Sequence, residues 1–262
     1  MNPPTPLSLV LAQLPSVAPA TCVPLRVSCS ASSLSLSEHS GNTQTFPYSA
    51  HSSLFVLALG KAGSAMAAAF ARELRGHPPP IPARAFVLTK TGHVEPGERA
   101  AVEEAFAAAG GAAGGAAGGA AGGAAGGAAG GAATFREATH PVPSPANVAA
   151  TSELLAALDN LPPNSLVVTL LSGGASSLLT CPAPPLSLPH LERMSELLLA
   201  SPLSIHGINE VRRRLDPLKG GGLARRLLAK GHAVATLTIS DVVGDDHAVI
   251  GSGPTYLPPS PP

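Results

Sequence analysis

Four short stretches of this chain combine small residues with charges in a way that suits anion chemistry. Gly60-Lys61 stands between an apolar run and a helical pattern. Backbone N–H groups at a helix start attract anions, and an ammonium beside them adds a point charge for phosphate. Ser172-Gly173-Gly174-Ala175-Ser176-Ser177 follows a second apolar run. Its glycines let the backbone approach a ligand, and its hydroxyls and amides can donate to oxyanions. Lys219-Gly220-Gly221-Gly222 sets a lysine and three flexible amides before a helical stretch. Ser240-Asp241-Val242-Val243-Gly244-Asp245-Asp246 holds three carboxylates within six residues. Such hard oxygen donors suit Mg²⁺, which bridges to substrate phosphates. Each stretch also has a plain reading: a turn glycine beside an exposed lysine, a simple β-turn-α loop, a flexible turn between helices, a helix cap or solvated loop. Taken together they suggest phosphoryl chemistry on a small anionic substrate. Gly60-Lys61 is not a Walker A loop, which would need a glycine at Phe55 and a hydroxyl at Ala62. His93 and His140 stand beside strand ends, but no HxH or HxxxH pair exists, so zinc is not indicated.

These stretches require elements to hold them. Leu54 to Leu59 and Leu166 to Leu171 are continuous apolar runs of buried-strand length. Ala85 to Leu88, Phe135 to Thr139 and Ala233 to Ile239 are further strand candidates. Met66, Phe70 and Leu74 recur every four residues, which predicts a helix after Lys61. Ser144-Pro145 reads as an N-cap followed by an N1 proline. Helical patterns recur over Leu188 to Ala200, Ile205 to Leu215 and Leu223 to Leu228. Apolar strands alternating with helices predict an α/β, Rossmann-like parallel sheet with helices on both faces. In such sheets ligands bind beyond the carboxyl ends of the strands, where Gly60-Lys61, Ser172–Ser177 and Ser240-Asp241 fall.

The organised region is expected over 51–255. Residues 110–133 are six copies of Gly-Gly-Ala-Ala, holding 12 of the 28 glycines, and read as a low-complexity insertion. Residues 1–50 contain ten Ser and seven Pro but only one Arg and one Glu. This predicts a disordered leader or transit peptide that stays out of the core. Residues 256–262 read as a Pro-rich tail. The 16 Lys+Arg balance 16 Asp+Glu, which argues against a nucleic-acid partner. No apolar run reaches transmembrane length. Three cysteines without CxxC spacing define neither a disulfide framework nor a zinc site. The location expected is cytoplasmic, or plastid or mitochondrion if the leader is a transit peptide.

The order of motifs is distinctive: Gly60-Lys61-Ala62-Gly63-Ser64-Ala65-Met66, Thr91-Gly92-His93, His140-Pro141-Val142-Pro143, and Leu171-Ser172-Gly173-Gly174-Ala175-Ser176-Ser177. It continues through Asn209-Glu210-Val211-Arg212-Arg213, Lys219-Gly220-Gly221-Gly222, Ser240-Asp241-Val242-Val243-Gly244-Asp245-Asp246 and Gly251-Ser252-Gly253-Pro254-Thr255. This resembles the N-terminal part of the glycerate 2-kinase family whose C-terminal part is the MOFRL domain. The resemblance implies ATP- and Mg²⁺-dependent phosphorylation of glycerate to 2-phosphoglycerate. It implies Lys61 as the catalytic lysine. Gly60, Ser172, Gly173, Gly174, Ser176, Arg212, Lys219, Gly220 and Gly221 would bind substrate or phosphate. Asp241 and Asp245 would form the metal end. Ala175 departs from the family, which has a third glycine there, and the MOFRL domain is expected to be absent. A partial kinase lobe would expose an apolar face, which predicts a homo-oligomer. Two alternatives remain open: an inactive nucleotide-binding or structural remnant, and a phosphosugar-binding or isomerase-type α/β domain.

Overall fold

The computed structural model describes residues 7–11, 18–23, 26–38, 41–110, 132–242 and 244–257. The chain opens with β1 (Leu7–Leu11), α1 (Pro19–Cys22), β2 (Val27–Cys29), β3 (Ser33–Ser37) and β4 (Thr43–Pro47). The central stretch runs β5 (Leu54–Leu59), α2 (Gly63–Gly76), β6 (Ala83–Lys90), α3 (Pro96–Gly110), β7 (Ala133–Ala138) and α4 (Pro145–Asp159). It ends with β8 (Leu166–Leu171), α5 (Ala175–Leu178), α6 (Leu188–Leu199), α7 (Ile205–Leu215), α8 (Gly222–Ala229) and β9 (Ala233–Ile239). Residues 111–131 of the Gly-Ala repeat and 258–262 of the tail lie outside the described residues.

Six strands form one sheet in the order β1-β9-β8-β5-β6-β7, and every pairing in it is parallel. All six residues of β5 and all six of β8 are buried, as an apolar strand covered on both faces must be. Successive side chains point to opposite faces. Leu54, Val56 and Ala58 therefore join one core with Phe70 of α2 and Phe106 of α3. Phe55, Leu57 and Leu59 join the other, with Leu154 of α4 and Leu223 of α8. From β5 the chain builds outward to β6 and β7, then returns to place β8 on the other side of β5. The helices that follow β5 and β8 pack on opposite faces of the sheet, α2 in the first core and α5 in the second, and this change of direction marks the topological switch point, the crevice where α/β sheets hold ligands.

The described part of the first fifty residues departs from the expectation of a disordered leader outside the core. β2, β3 and β4 form a three-stranded antiparallel sheet. Val27, Leu34, Leu36, Phe46 and Tyr48 are buried in the same core as α2. The reason lies in Ser33-Leu34-Ser35-Leu36-Ser37, where the leucines alone are buried. Its two-residue period makes a half-buried strand despite the serine content. The outward hydroxyls pair across strands, Ser35 with Thr45 and Ser37 with Thr43, each at 2.9 Å. Among the described residues no helix is long and apolar enough to cross a membrane. Among the described residues the exposed large apolar side chains are Leu197, Leu199, Leu203 and Ile205, around the turn from α6 to α7.

Candidate active site

The loops after β5 and β8 are laced together by their backbones. The Ser172 N–H donates to the Leu59 carbonyl at 2.9 Å, and the Lys61 N–H donates to the Gly173 carbonyl at 2.9 Å. The Ala62 N–H donates to the Ser172 hydroxyl oxygen at 3.1 Å. Ser172 is buried, so its hydroxyl braces the crevice from inside. Gly60 has φ +119°, and a Cβ there would overlap Ser172, so only glycine fits.

Over this brace the side chains converge. A Cβ on Gly174 would lie 3.0 Å from Lys61 Cγ and 3.3 Å from His140 Nε2. A Cβ on Gly173 would collide with the Asp241 carboxylate. Lys61, His140 and Asp241 thus come from three different loops onto two adjacent glycines. Burial pushes the His140 imidazole below its ordinary value, and the charges of Lys61, Lys90 and Arg212 push it the same way, with Asp241 opposing. Lys90 ends β6, and Arg212 reaches in from α7 with its guanidinium held below its usual value by burial. Three cations focused on one crevice attract anions.

His140 is held by Asn147, a buried residue in the first turn of α4. The Asn147 side-chain amide donates to the Thr139 carbonyl at 2.9 Å and to the Ser177 carbonyl at 2.7 Å. Its oxygen accepts from the N–H groups of Thr139 and Ser144, at 3.2 and 2.9 Å. One side chain therefore fixes the His140 loop to the helix that follows Gly174.

Other predicted residues stand elsewhere. Ser176 shares a hydrogen bond with Ser252 at 2.6 Å, and Ser252 donates to Asn209 at 2.9 Å. Lys219 is buried, with its ammonium 2.7 Å from the Asp216 carboxylate and 3.0 Å from the Leu179 carbonyl. The N–H groups of Gly220 and Gly221 donate to the carbonyls of Ser252 and Gly253. The Lys219-Gly220-Gly221 segment is thus tied into the protein rather than presented to a ligand. Asp241 is exposed and acts on His140, whereas the Asp245 carboxylate acts on His247. Among the described residues no group of three or more His, Cys, Asp or Glu could hold a metal ion. The two carboxylates expected at the metal end thus act on different histidines.

A small apolar-walled pocket lies beside the crevice, with Ser176, Arg212, Met194 and the Lys219–Asp216 pair in its lining.

Sequence reasoning assigned no role to Lys90, His140, Asn147 or Asn209. The available signal was their position: Lys90 and His140 end or follow strands on the carboxyl side of the sheet.

Residues 7–262 match the family model described as a domain of unknown function, DUF4147. The chain belongs to the DUF4147 family. Curated relatives share 40–44% identity with this DUF4147 chain over 124 residues. One, from Agrobacterium vitis, is provisionally named a hydroxypyruvate reductase (44%, 47% of this chain and 28% of the relative). Another is a glycerate 2-kinase of Pyrococcus horikoshii (40%, 47% of this chain and 28% of the relative). A crystal structure of a P. horikoshii protein superposes with a TM-score of 0.65 at 28% identity, covering 92% of this chain and 44% of that one. The chain spans less than half the length of these relatives, and the DUF4147 match shows its place among the N-terminal parts of glycerate kinases.

Proposed function

We propose that this chain carries the phosphoryl-transfer side of a glycerate kinase site, which uses ATP to phosphorylate the 2-hydroxyl of glycerate and gives 2-phosphoglycerate. The observation that carries this reading is the convergence of Lys61, Lys90 and Arg212 on one crevice at the switch point of the sheet. A carboxylated substrate and a nucleotide phosphate together bring enough negative charge to balance three cations. Lys61 is exposed and stands over Gly174, where it would meet charge spreading onto the transferring phosphoryl oxygens. The glycines at 173 and 174 leave the backbone open to close approach. Among the described residues no group of three or more His, Cys, Asp or Glu could hold a metal ion, so Mg²⁺ is placed on the nucleotide as part of the substrate. Lys219 falls outside the proposed contacts because Asp216 already neutralises it.

The test is Mg²⁺-ATP-dependent phosphorylation of D-glycerate by the chain, with the product position read by NMR. Phosphorylation at the 2-hydroxyl is expected, and Lys61→Ala should lower turnover by about 10²-fold or more. A Lys61→Ala variant turning over at the parental rate would remove Lys61 from the mechanism. NADH-dependent reduction of hydroxypyruvate in place of phosphorylation would overturn the kinase reading.

A further inference from the structure

The crevice holds two side chains able to take a proton, the Asp241 carboxylate and the His140 imidazole, and the kinase reading gives His140 a task. Lys61, Lys90 and Arg212 are cations with no acceptor lone pair. The exposed Asp241 carboxylate lies against Gly173. His93 is exposed, with Nδ1 3.2 Å from the Lys61 carbonyl oxygen. His247 is stacked on Tyr256. His140 is different. The Cδ2–Nε2 edge of its ring lies against the Gly174 position that Lys61 also borders. Among the described residues no hydrogen bond occupies either of its ring nitrogens. Its backbone is fixed on the N-terminal side through Thr139 and across to Ser177 by the single buried Asn147. Such second-level anchoring is what a positioned base requires.

We propose that His140 accepts the proton of the glycerate 2-hydroxyl as that oxygen attacks the γ-phosphorus of ATP, an assignment that rests on the kinase reading above. In this step the O–H bond breaks and its proton passes to an imidazole nitrogen. A bond forms from the hydroxyl oxygen to the γ-phosphorus, and the bond from that phosphorus to the bridging oxygen breaks. ADP leaves with the electron pair. His140 is partly exposed, so the imidazolium can return its proton to solvent.

The charges around the ring suit this role. Lys61 follows β5, Lys90 ends β6, Arg212 lies on α7 and Asp241 follows β9, and all four act on His140. Burial and the three cations hold the imidazole below its ordinary value, which favours its neutral, acceptor form. Arrival of a carboxylate and a triphosphate offsets those cations, which raises the proton affinity of the ring when the hydroxyl must be deprotonated.

Two measurements test this. The first compares the parent chain with His140→Gln and His140→Asn, each checked for an unchanged thermal midpoint. The amides can hydrogen-bond but cannot carry the proton. The expectation is a fall in kcat of about 10²–10⁴-fold with KM for glycerate nearly unchanged. The parental kcat/KM should decline on the acid side below the ordinary imidazole value of 6.5, and this limb should vanish in the variants. Variants with parental kcat, or with only a raised KM, overturn the assignment while leaving the kinase reading in place. The second needs no turnover: nitrogen NMR of the His140 ring during titration with glycerate and with 3-hydroxypropionate, which lacks the 2-hydroxyl. A shift on saturation with glycerate but not with 3-hydroxypropionate is expected. Equal shifts, or saturation without any shift, overturn the assignment. Failure of glycerate to bind at all overturns the kinase reading, and the role of His140 falls with it.

Discussion

Lys219 shows how one residue type can point in two directions. A lysine before three glycines has the composition of a phosphate loop, yet its side chain is 6% exposed and faces an Asp216 carboxylate that is 2% exposed. Desolvating an ion pair costs much of what the attraction returns, and removing one partner strands the other. Asp216 is additionally bound by the N–H groups of Cys181 and Leu218, at 2.9 and 3.0 Å. Lys219→Met should therefore destabilise the fold by about 3 kcal/mol in urea unfolding. Affinity for ATP should be unchanged at temperatures where the variant remains folded. A variant of parental stability with weakened nucleotide binding would restore Lys219 to the site. The i,i+3 spacing of Asp216 and Lys219 was a legible sign of this pairing. By contrast, the meeting of His140 with Lys61 is invisible in a linear reading, because it joins the loops after β7 and β5 over a glycine following β8. Gly60, Lys61 and Gly173 were legible since small residues at the end of an apolar strand are what a crevice needs.

At the level of elements, strands buried on both faces announce themselves as unbroken apolar runs, and β5 and β8 were read to the residue. β3 was not, because its serines obscured its alternation. Composition reports solubility, whereas period reports which face is buried, and in Ser33–Ser37 the two disagree. Leu34 and Leu36 are fully buried against the core that holds α2. Leu36→Ala should cost about 2–4 kcal/mol, the range for truncating a packed leucine. A urea midpoint equal to that of the parent would show that this sheet is not part of the cooperative unit. The same logic explains why Asn147 escaped notice. A polar residue in the first turn of a helix is usually a cap, and only the folded chain reveals that it clamps residues 139 and 177 together.

For the whole molecule, the Gly-Ala repeat interrupts the connection between α3 and β7, which pack against each other. A crossover of this kind closes with far fewer residues than the repeat supplies. Replacing residues 111–131 with six Gly/Ser residues should leave the fold intact. Loop-closure entropy alone would raise stability by about 1 kcal/mol. A loss of stability measured by thermal unfolding would show that the repeat makes contacts of its own. The crevice that frames Lys61 has another consequence, concerning the order of events during synthesis. Its two walls are drawn from parts of the chain 110 residues apart, as the bond from Ala62 to Ser172 records. During translation, β5, α2 and β6 emerge long before β8. The most apolar strand of the protein must wait with one edge unpaired, in the state that invites association with other nascent chains. A parallel sheet assembled from such distant pieces also folds slowly. The geometry that brings the reactive groups together thus makes the site among the last features to form, and appearance of ligand binding should lag behind appearance of helix during refolding.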